Sequence, residues 1–542
     1  MTTDGGAFNL LDEPWVRVRT HTGEVLDLSL RQVFERAHHL NGLAGEVPTQ
    51  DVAVLRVLEA VLLGATRSDH LRSDDESIDL WDAWWRSGKF PTDVVWGYLE
   101  RHHERFYLLH QSEPFMQVAD LHTASGNASG LIKLIADVPD GHQYFTTRAG
   151  REIESLSLAE AARWLVHCHA FDPAGIKTGA VGDDRVKGGK GYSMGYPAWV
   201  GNLGVIVVNG ANLFETLLLN LPLSLGTNPD DRPVWERPAL PSGVCADHLA
   251  PTGPADLFTW PSRRVRLLER NGLIVDVQIS NGDRLGPQNQ SGNEPMSSWR
   301  KSQNQSKRGE GDVYMPVLHV PEKRIWQGLG SLLITARGVT HRAPVLDWLA
   351  TLIESGCLPA GFRVRLRTVG LEYGAQASSI AGAVDDGLDA RAAALTEPIL
   401  AQCAVDAAAR AGSAVVALAN LASNLEQAAG GDSERPRSRT FEFGYSLLDG
   451  PYRRWLSDLV DVATIAERLD DWSQQVRRIL LDAGQSLITA AGPAAVVGRP
   501  VSRMGSDEKQ RIDSGLAEIW FRAALNKALG IAPVPQRQEV AS

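Results

Sequence analysis

The sequence predicts an α+β protein: a large, irregular mixed α/β domain over residues 1–380, then an all-α helical bundle over residues 381–531. Three observations carry this. Strand-like alternations bounded by glycine or proline fall before residue 380. Beyond it alanine rises and apolar residues recur at helical spacing. The helical stretches there are joined by short Gly/Pro/Ser-rich breaks, the pattern of antiparallel helices in a bundle.

The N-terminal elements follow in order. Trp15-Val16-Arg17-Val18 alternates after Pro14, and His21-Thr22-Gly23-Glu24 turns the chain into a second strand, Val25 to Leu28. Val33, Phe34 and Ala37 keep helical spacing, and Gln50 to Leu63 is a helix apolar over most of its surface. The tryptophan-rich run Asp74 to Glu104 reads as helical, and Phe106 to Leu109 as a strand. Residues 119–148 form a polar tract, interrupted by the apolar island Leu131 to Ile135. A helix over Leu156 to His169, a buried strand over Gly204 to Val208 and a helix over Asn212 to Leu221 come next.

Leu257 to Gly286 reads as a hairpin turning at Gly272, and Gly286 to Gly311 as a second polar tract. Phe362 to Val369 is a strand with arginine at every second position, a face that either binds phosphates or is merely solvated. In the C-terminal part the helical patterns cover Ala381–Arg410, Ser413–Ala428, Tyr452–Arg468, Trp472–Ala490 and Ser506–Leu529, with Gly430–Arg439 as one break. Residues 532–542 read as a disordered tail.

Composition bounds the function. At 542 residues, 43% hydrophobic and 22% charged, the chain is globular, with material for about two to four domains. No apolar run approaches the roughly 20 residues that span a bilayer, and residues 1–8 do not resemble a signal peptide, so a cytoplasmic protein is expected. A net charge of −11 argues against a chain that coats nucleic acid by itself, and leaves room for a local basic site inside a larger assembly. Cys168, Cys245, Cys357 and Cys403 are scattered without a C-x-x-C, so neither a disulfide framework nor a bound metal is expected. The 15 tryptophans are dispersed, as core and interface anchors are.

One stretch stands out. Lys187-Gly188-Gly189-Lys190-Gly191-Tyr192-Ser193-Met194-Gly195 puts four glycines and two lysines between a helix and an apolar strand. Its exposed N–H groups and flanking charges suit a phosphate or a groove edge, while the plain alternative is a flexible surface loop. Gly191 to Gly195 also fits G-x-S-x-G, which makes Ser193 a candidate hydrolase nucleophile. The context is reversed, however: polar residues precede it and a strand, not a helix, follows. Walker A fails because Asp184 stands where its first glycine belongs, and H-E-x-x-H is absent. His102-His103 are neighbours, and His167 and His169 lie two apart on a helix, so neither pair converges on one metal.

Phe8-Asn9-Leu10-Leu11-Asp12-Glu13-Pro14-Trp15, Pro114-Phe115-Met116-Gln117, Gly191-Tyr192-Ser193-Met194-Gly195, Gly210-Ala211-Asn212-Leu213 and Gly374-Ala375-Gln376-Ala377-Ser378 occur in the order and spacing of one family. The chain resembles, over essentially its whole length, the large subunit (CasA family) of the type I-E CRISPR surveillance complex Cascade. The resemblance implies a C-terminal four-helix bundle and a non-catalytic role. Such a subunit sits at the 5′ end of the guide RNA, recognises the protospacer-adjacent motif (PAM) in double-stranded DNA, helps unwind the duplex for R-loop formation and recruits the helicase-nuclease.

The partners so implied are the other Cascade subunits, CRISPR guide RNA, double-stranded target DNA and the helicase-nuclease effector, with no membrane and no cofactor. The family's PAM-contacting glycine loop matches Gly188, Gly189, Lys190 and Gly191. Its strand-separating glutamine wedge matches Gln376, with Ala375 and Gly374 on the same turn. Its aromatic-led loop near the guide's 5′ end matches Phe145, followed by Thr146 and Thr147. Lys301 and Arg284 are the candidates for its basic groove contact. The alternatives are a serine hydrolase using Ser193 and a protein-interaction scaffold without direct DNA contact.

Overall fold

The alternation after Pro14 is a hairpin in the structure, a computed structural model that describes residues 8–67, 73–137, 153–192, 194–225, 228–308, 311–334, 339–502 and 509–531. Strands β1 (Val16–Thr20) and β2 (Val25–Leu28) pair antiparallel, and β3 (Leu40–Leu43) joins β1 on its other side. Between them α1 (Leu30–Arg36) starts at a capping box: Ser29 Oγ accepts from the Gln32 N–H, and Gln32 Oε1 from the Ser29 N–H.

Helix α2 (Pro48–Arg67) is buried on nearly every side, as its continuous apolar run implies. Its Arg56 is only 1% exposed and donates two hydrogen bonds, 2.9 and 2.8 Å, to the fully buried Glu294. Trp199 Nε1 donates to the same carboxylate at 2.8 Å. Removing either charge would strand the other in the core, at about 3–5 kcal/mol. The pair pins down the tract 286–308, which the sequence reads as a polar loop. It is a folded part of the unit, with Met296, Ser297 and Trp299 at 0% exposure.

The tryptophan-rich run divides into α3 (Asp74–Ser87) and α4 (Thr92–Arg101), because Gly88 closes α3 in the left-handed conformation and Pro91 precedes α4. Phe106 to Leu109 is not a strand. Tyr107 makes a single bridge to Asn9, after a 3₁₀ turn over His103–Phe106. Helix α5 (Leu158–Phe171), capped by Ser157, then leads through an irregular stretch to β4 (Val205–Asn209) and α6 (Leu213–Leu219). After the short α7 (Pro254–Phe258) comes the expected hairpin, β5 (Arg263–Arg270) and β6 (Leu273–Asn281), turning at Asn271-Gly272. Both turn residues have positive φ, 56° and 79°, as the tight hairpin turn demands.

Three short strands make a further sheet, β7 (Trp299–Lys301) lying between β8 (Tyr314–Pro316) and β9 (Thr340–His341). The brief helices α8 (Gln303–Ser306) and α9 (Leu329–Leu333) and the longer α10 (Pro344–Glu354) complete this region of sequence. Two long strands, β10 (Arg363–Tyr373) and β11 (Ile380–Arg391), then form a hairpin whose β10 also pairs with β4. Residues 381–391, expected to be helical, are therefore strand. Pairing with β10 overrides the helix preference of the alanines. Strands do not stop at residue 380.

The chain divides into two compact units. One is Met1–Pro321, Thr335–Ala360 and Val364–Gly387; the other is Glu322–Ile334, Gly361–Arg363 and Leu388–Ser542. In the second unit a short α11 (Ala393–Thr396) precedes α12 (Pro398–Ala429), followed by α13 (Glu434–Ser457), α14 (Ile465–Ala490), the short α15 (Gly492–Val497) and α16 (Ser514–Leu529). A small hairpin, β12 (Arg499–Ser502) with β13 (Lys509–Ile512), lies between the last two helices.

Helices α13, α14 and α16 all pack on α12, and α14 also touches α13 and α16. Ala404, Ala407, Ala411 and Ala414 of α12 are fully buried and let its neighbours approach closely. Buried rings hydrogen-bond its carbonyls: Tyr452 Oη donates to Ala404 O at 2.7 Å, and Trp472 Nε1 to Ala407 O at 3.0 Å. By length and composition alone α12 is apolar enough to cross a membrane, and half of its most apolar window is buried within the protein.

Further boundaries move: α12 runs unbroken through the expected break at 411–412, and Lys509–Ile512, expected to be helical, is β13. A helix over Tyr452–Arg468 was expected, whereas α13 ends at Ser457 and α14 begins at Ile465. The break after α12 is only 430–433, because Pro436 falls in the first turn of α13, where its missing N–H is no loss.

Buried histidines tie α5 to its surroundings. His167 Nε2 lies 2.9 Å from Thr49 Oγ1, and His169 Nε2 donates to Met116 O at 2.8 Å. Burial lowers both pKa values from 6.5 to about 4. Depressed folded-state values mean stability that is full above pH 6.5 and lost as pH falls toward 4, about 3 kcal/mol for each ring. The melting temperature should fall across that window, and His169→Gln should flatten the fall; a melting temperature constant between pH 6.5 and 4.5 would contradict it.

Candidate nucleic-acid interface

The glycine stretch is built outward from the end of α5. Burial pushes the Asp172 carboxyl up, but Lys177 and Arg263 outweigh it and hold it below its ordinary value. Lys177 Nζ lies 2.6 Å from Asp172 Oδ2, and Arg263 Nε donates to the same oxygen at 2.5 Å. Arg263 also donates to the carbonyls of Asp172 and Pro173, at 2.9 and 3.0 Å. Two cations on one buried carboxylate fix where the chain leaves the helix.

From that anchor the chain runs to a tight turn. Lys187 and Lys190 exchange backbone hydrogen bonds of 3.1 and 3.2 Å across Gly188 and Gly189, whose φ values are 59° and 73°. Positive φ at both central residues is the hairpin turn that glycine adopts without strain. No atom lies within 4 Å of where a Cβ would stand at either glycine, so the tip projects clear of the protein. Among the described residues, the N–H groups of Gly188 and Gly189 have no hydrogen-bond acceptor, and Lys187 and Lys190 have no ion-pair partner. The result is an exposed pair of outward donors flanked by two exposed cations, suited to an anionic, narrow-walled partner.

The base of the turn is held as firmly as its tip is free. Gly179 N–H donates to Gly189 O at 3.0 Å, and Gly191 N–H to Lys177 O at 2.9 Å. Arg185 forks onto Asp183 at 2.8 and 2.9 Å, reaches Gly282 O at 3.1 Å, hydrogen-bonds the Tyr192 hydroxyl and lies 4.6 Å over its ring. Asn281 at the end of β6 donates to Tyr192 O, and Ser280 Oγ to Thr178 O at 2.8 Å.

Gly191 serves this base, not the tip: a Cβ there would stand 2.8 Å from Lys177 O. Gly191→Ala should therefore loosen the turn, at about 1–3 kcal/mol, and speed tryptic cleavage after Lys187 and Lys190. Equal cleavage rates in wild type and variant would count against a packed base.

The hairpin of β10 and β11 rests on the same helix end. Tyr373 Oη donates to Phe171 O at 2.6 Å, one residue before Asp172. Beyond Tyr373 the turn closes with Gly374 N–H on Ser379 O and Ala377 N–H on Gly374 O, each 2.9 Å. Gln376 and Ala377 both adopt left-handed backbone, φ 57° and 51°, at about 1 kcal/mol or more each for residues with a Cβ. Gln376 sits exposed at the tip, with Gly374 and Ala375 leading into it. Helix α5 thus carries both candidate elements on its last turn.

The remaining candidates separate. Arg284 is exposed and lies 5.3 Å over the ring of Tyr196, directly after the glycine stretch. Lys301 belongs to β7 and is paired with Asp312 at 2.6 Å, which raises its pKa. Phe145, Thr146, Thr147 and Ser193 lie outside the described residues. Residues on either side of Ser193 form neither the strand nor the helix of a nucleophile elbow.

The arginine-rich face of β10 is mostly neutralised from within: Arg367 forks onto Asp385 at 2.7 and 2.9 Å, and Arg363 lies 3.6 Å from Asp389. Sequence reasoning missed Asp172, Lys177, Arg185, Arg263 and Tyr373.

A family model described as CRISPR-associated protein Cse1 matches residues 9–483. The CasA/Cse1 protein of Thermus thermophilus is 31% identical over 332 residues, and the match spans 60% of each chain. The crystal structure of Thermobifida fusca Cse1 is 41% identical, covers 98% of this chain and 100% of its own, and superposes with a TM-score of 0.88. A chain of a solved CRISPR RNA-guided surveillance complex, 18% identical, covers 89% of this chain and 99% of its own at a TM-score of 0.60, a likeness of fold.

Proposed function

Since this chain belongs to the Cse1 (CasA) family of CRISPR-associated proteins, we propose that it is a non-catalytic subunit of an RNA-guided surveillance complex that recognises the PAM in double-stranded DNA. It reads the PAM through the Gly188-Gly189 turn, helps separate the strands with Gln376, and recruits the helicase-nuclease. Guide–target pairing supplies the remaining sequence discrimination.

One observation carries this reading. Two exposed tips, one with unengaged backbone donors between lysines and one with a glutamine on strained backbone, are both anchored at the end of α5. A turn without side chains can enter a groove that a Cβ would obstruct, and a neighbouring amide can occupy the step that opens. Arg284 beside Tyr196 is the better placed basic contact, because Lys301 is already engaged by Asp312. The net charge of −11 fits a subunit whose partners supply much of the phosphate affinity.

Reconstitution with guide RNA and the other subunits tests the role. The chain is expected to co-elute with the ribonucleoprotein, and a complex assembled without it should lose discrimination between duplexes with and without a PAM. Failure to co-elute, or equal discrimination without it, would overturn the proposal.

A further inference from the structure

A polar cleft of about 310 Å³ opens in the first unit, away from the glycine turn, among β3, the start of α2, β4, α6 and β10. Its floor is apolar and buried, with Val52, Leu55 and Leu213 at 1–3% exposure. Its rim carries Asn41, Asn209 and Arg365. Register places Arg365 directly opposite Asn209 on the paired strands β10 and β4, so guanidinium and amide share one sheet face.

Both asparagine amides lack a hydrogen-bond partner among the described residues, and Arg365 makes one bond, from Nη1 to Gly210 O at 3.2 Å. A fork of five donors used once, beside two unengaged amides, is spare recognition capacity. The charged lining groups are Arg365, Arg367 and Asp51. Arg367 is already committed to Asp51 and Asp385, which leaves Arg365 as the available cation.

We infer that this cleft binds one unstacked nucleotide of a single strand, its base on the apolar floor, its base edge on the asparagine amides and its phosphodiester on Arg365. The single charge of a phosphodiester suits the one arginine of the cleft that no carboxylate engages, and asparagine amides pair with base edges in two-pronged fashion. The inference is independent of the glycine turn.

The test uses the full chain and a single-stranded hexanucleotide carrying 4-thiouridine, photo-crosslinked and mapped by mass spectrometry. Crosslinks are expected within residues 41–55 or 205–216. Arg365→Ala, which gives up one internal bond, and Asn209→Asp, which adds a like charge, should each lower their yield by about fivefold or more. Crosslinks are scored by their position in the chain, so the glycine turn can fail as a PAM reader without touching this result. Crosslinks confined to other regions, or cleft crosslinks indifferent to Arg365→Ala, would overturn the inference. So would equal displacement by uridine monophosphate, which would assign the cleft to free nucleotides, or by an Asp/Glu-rich peptide, which would assign it to a protein carboxylate.

Discussion

Gly189→Asp is expected to abolish PAM-dependent duplex binding by the assembled complex while leaving assembly on guide RNA intact. Aspartate is among the few side chains that tolerate left-handed backbone, and nothing within the protein obstructs a Cβ at φ 73°. The turn should therefore keep its shape, and the loss should come from the interface. A carboxylate pressed between phosphate-lined walls costs several kcal/mol, about 100-fold or more in affinity. Gly189→Asn, similar in shape without the charge, should lose less. Gel shifts on duplexes with and without a PAM measure both variants, and normal PAM-dependent binding by Gly189→Asp would remove the turn from the interface.

Gln376→Ala should act at a different step. Unstacking one base step costs a few kcal/mol, which new contacts to the separated strands must offset. Losing the amide should slow opening of a linear duplex by about tenfold or more, and leave binding to a duplex with a pre-melted bubble close to wild type. Equal loss on both substrates would mean that Gln376 contributes affinity without separating strands. The left-handed backbone of Gln376 and Ala377 is an independent sign that this tip is shaped for a purpose other than stability.

What the sequence showed and what it hid follow from the range of the forces involved. The glycine turn, the hairpin at Gly272, helix α2 and helix α5 are set by local chemistry, and all were legible. The strand over residues 380–391 was not, because alanine and glycine favour no sheet until β10 lies alongside and Asp385 meets Arg367. Helix α13 was obscured by Pro436 and Pro451, although the first of these falls where a helix accepts proline.

The base of the site was hidden for a stronger reason. Asp172 meets Arg263 across 91 residues and Tyr373 meets Phe171 across 202. No periodicity reports such pairs. The sequence therefore marked the tips that face outward, and only the fold brings out the buried ion pairs that aim them. Likewise the alternating arginines of β10 looked like a phosphate-binding face until β11 supplied the acids that engage two of them.

The most direct test places a cleaving reagent on the turn itself. With Cys245→Ser and Cys357→Ser removing the accessible native thiols, Lys190→Cys carries an iron–EDTA tether into the reconstituted complex. If the turn lies in the PAM minor groove, strand scission should centre on the PAM, with the two strands' cleavage sites offset toward their 3′ ends. Scission spread along the guide-paired region, or none near the PAM, would show that this stretch of main chain does not touch the DNA edge assigned to it.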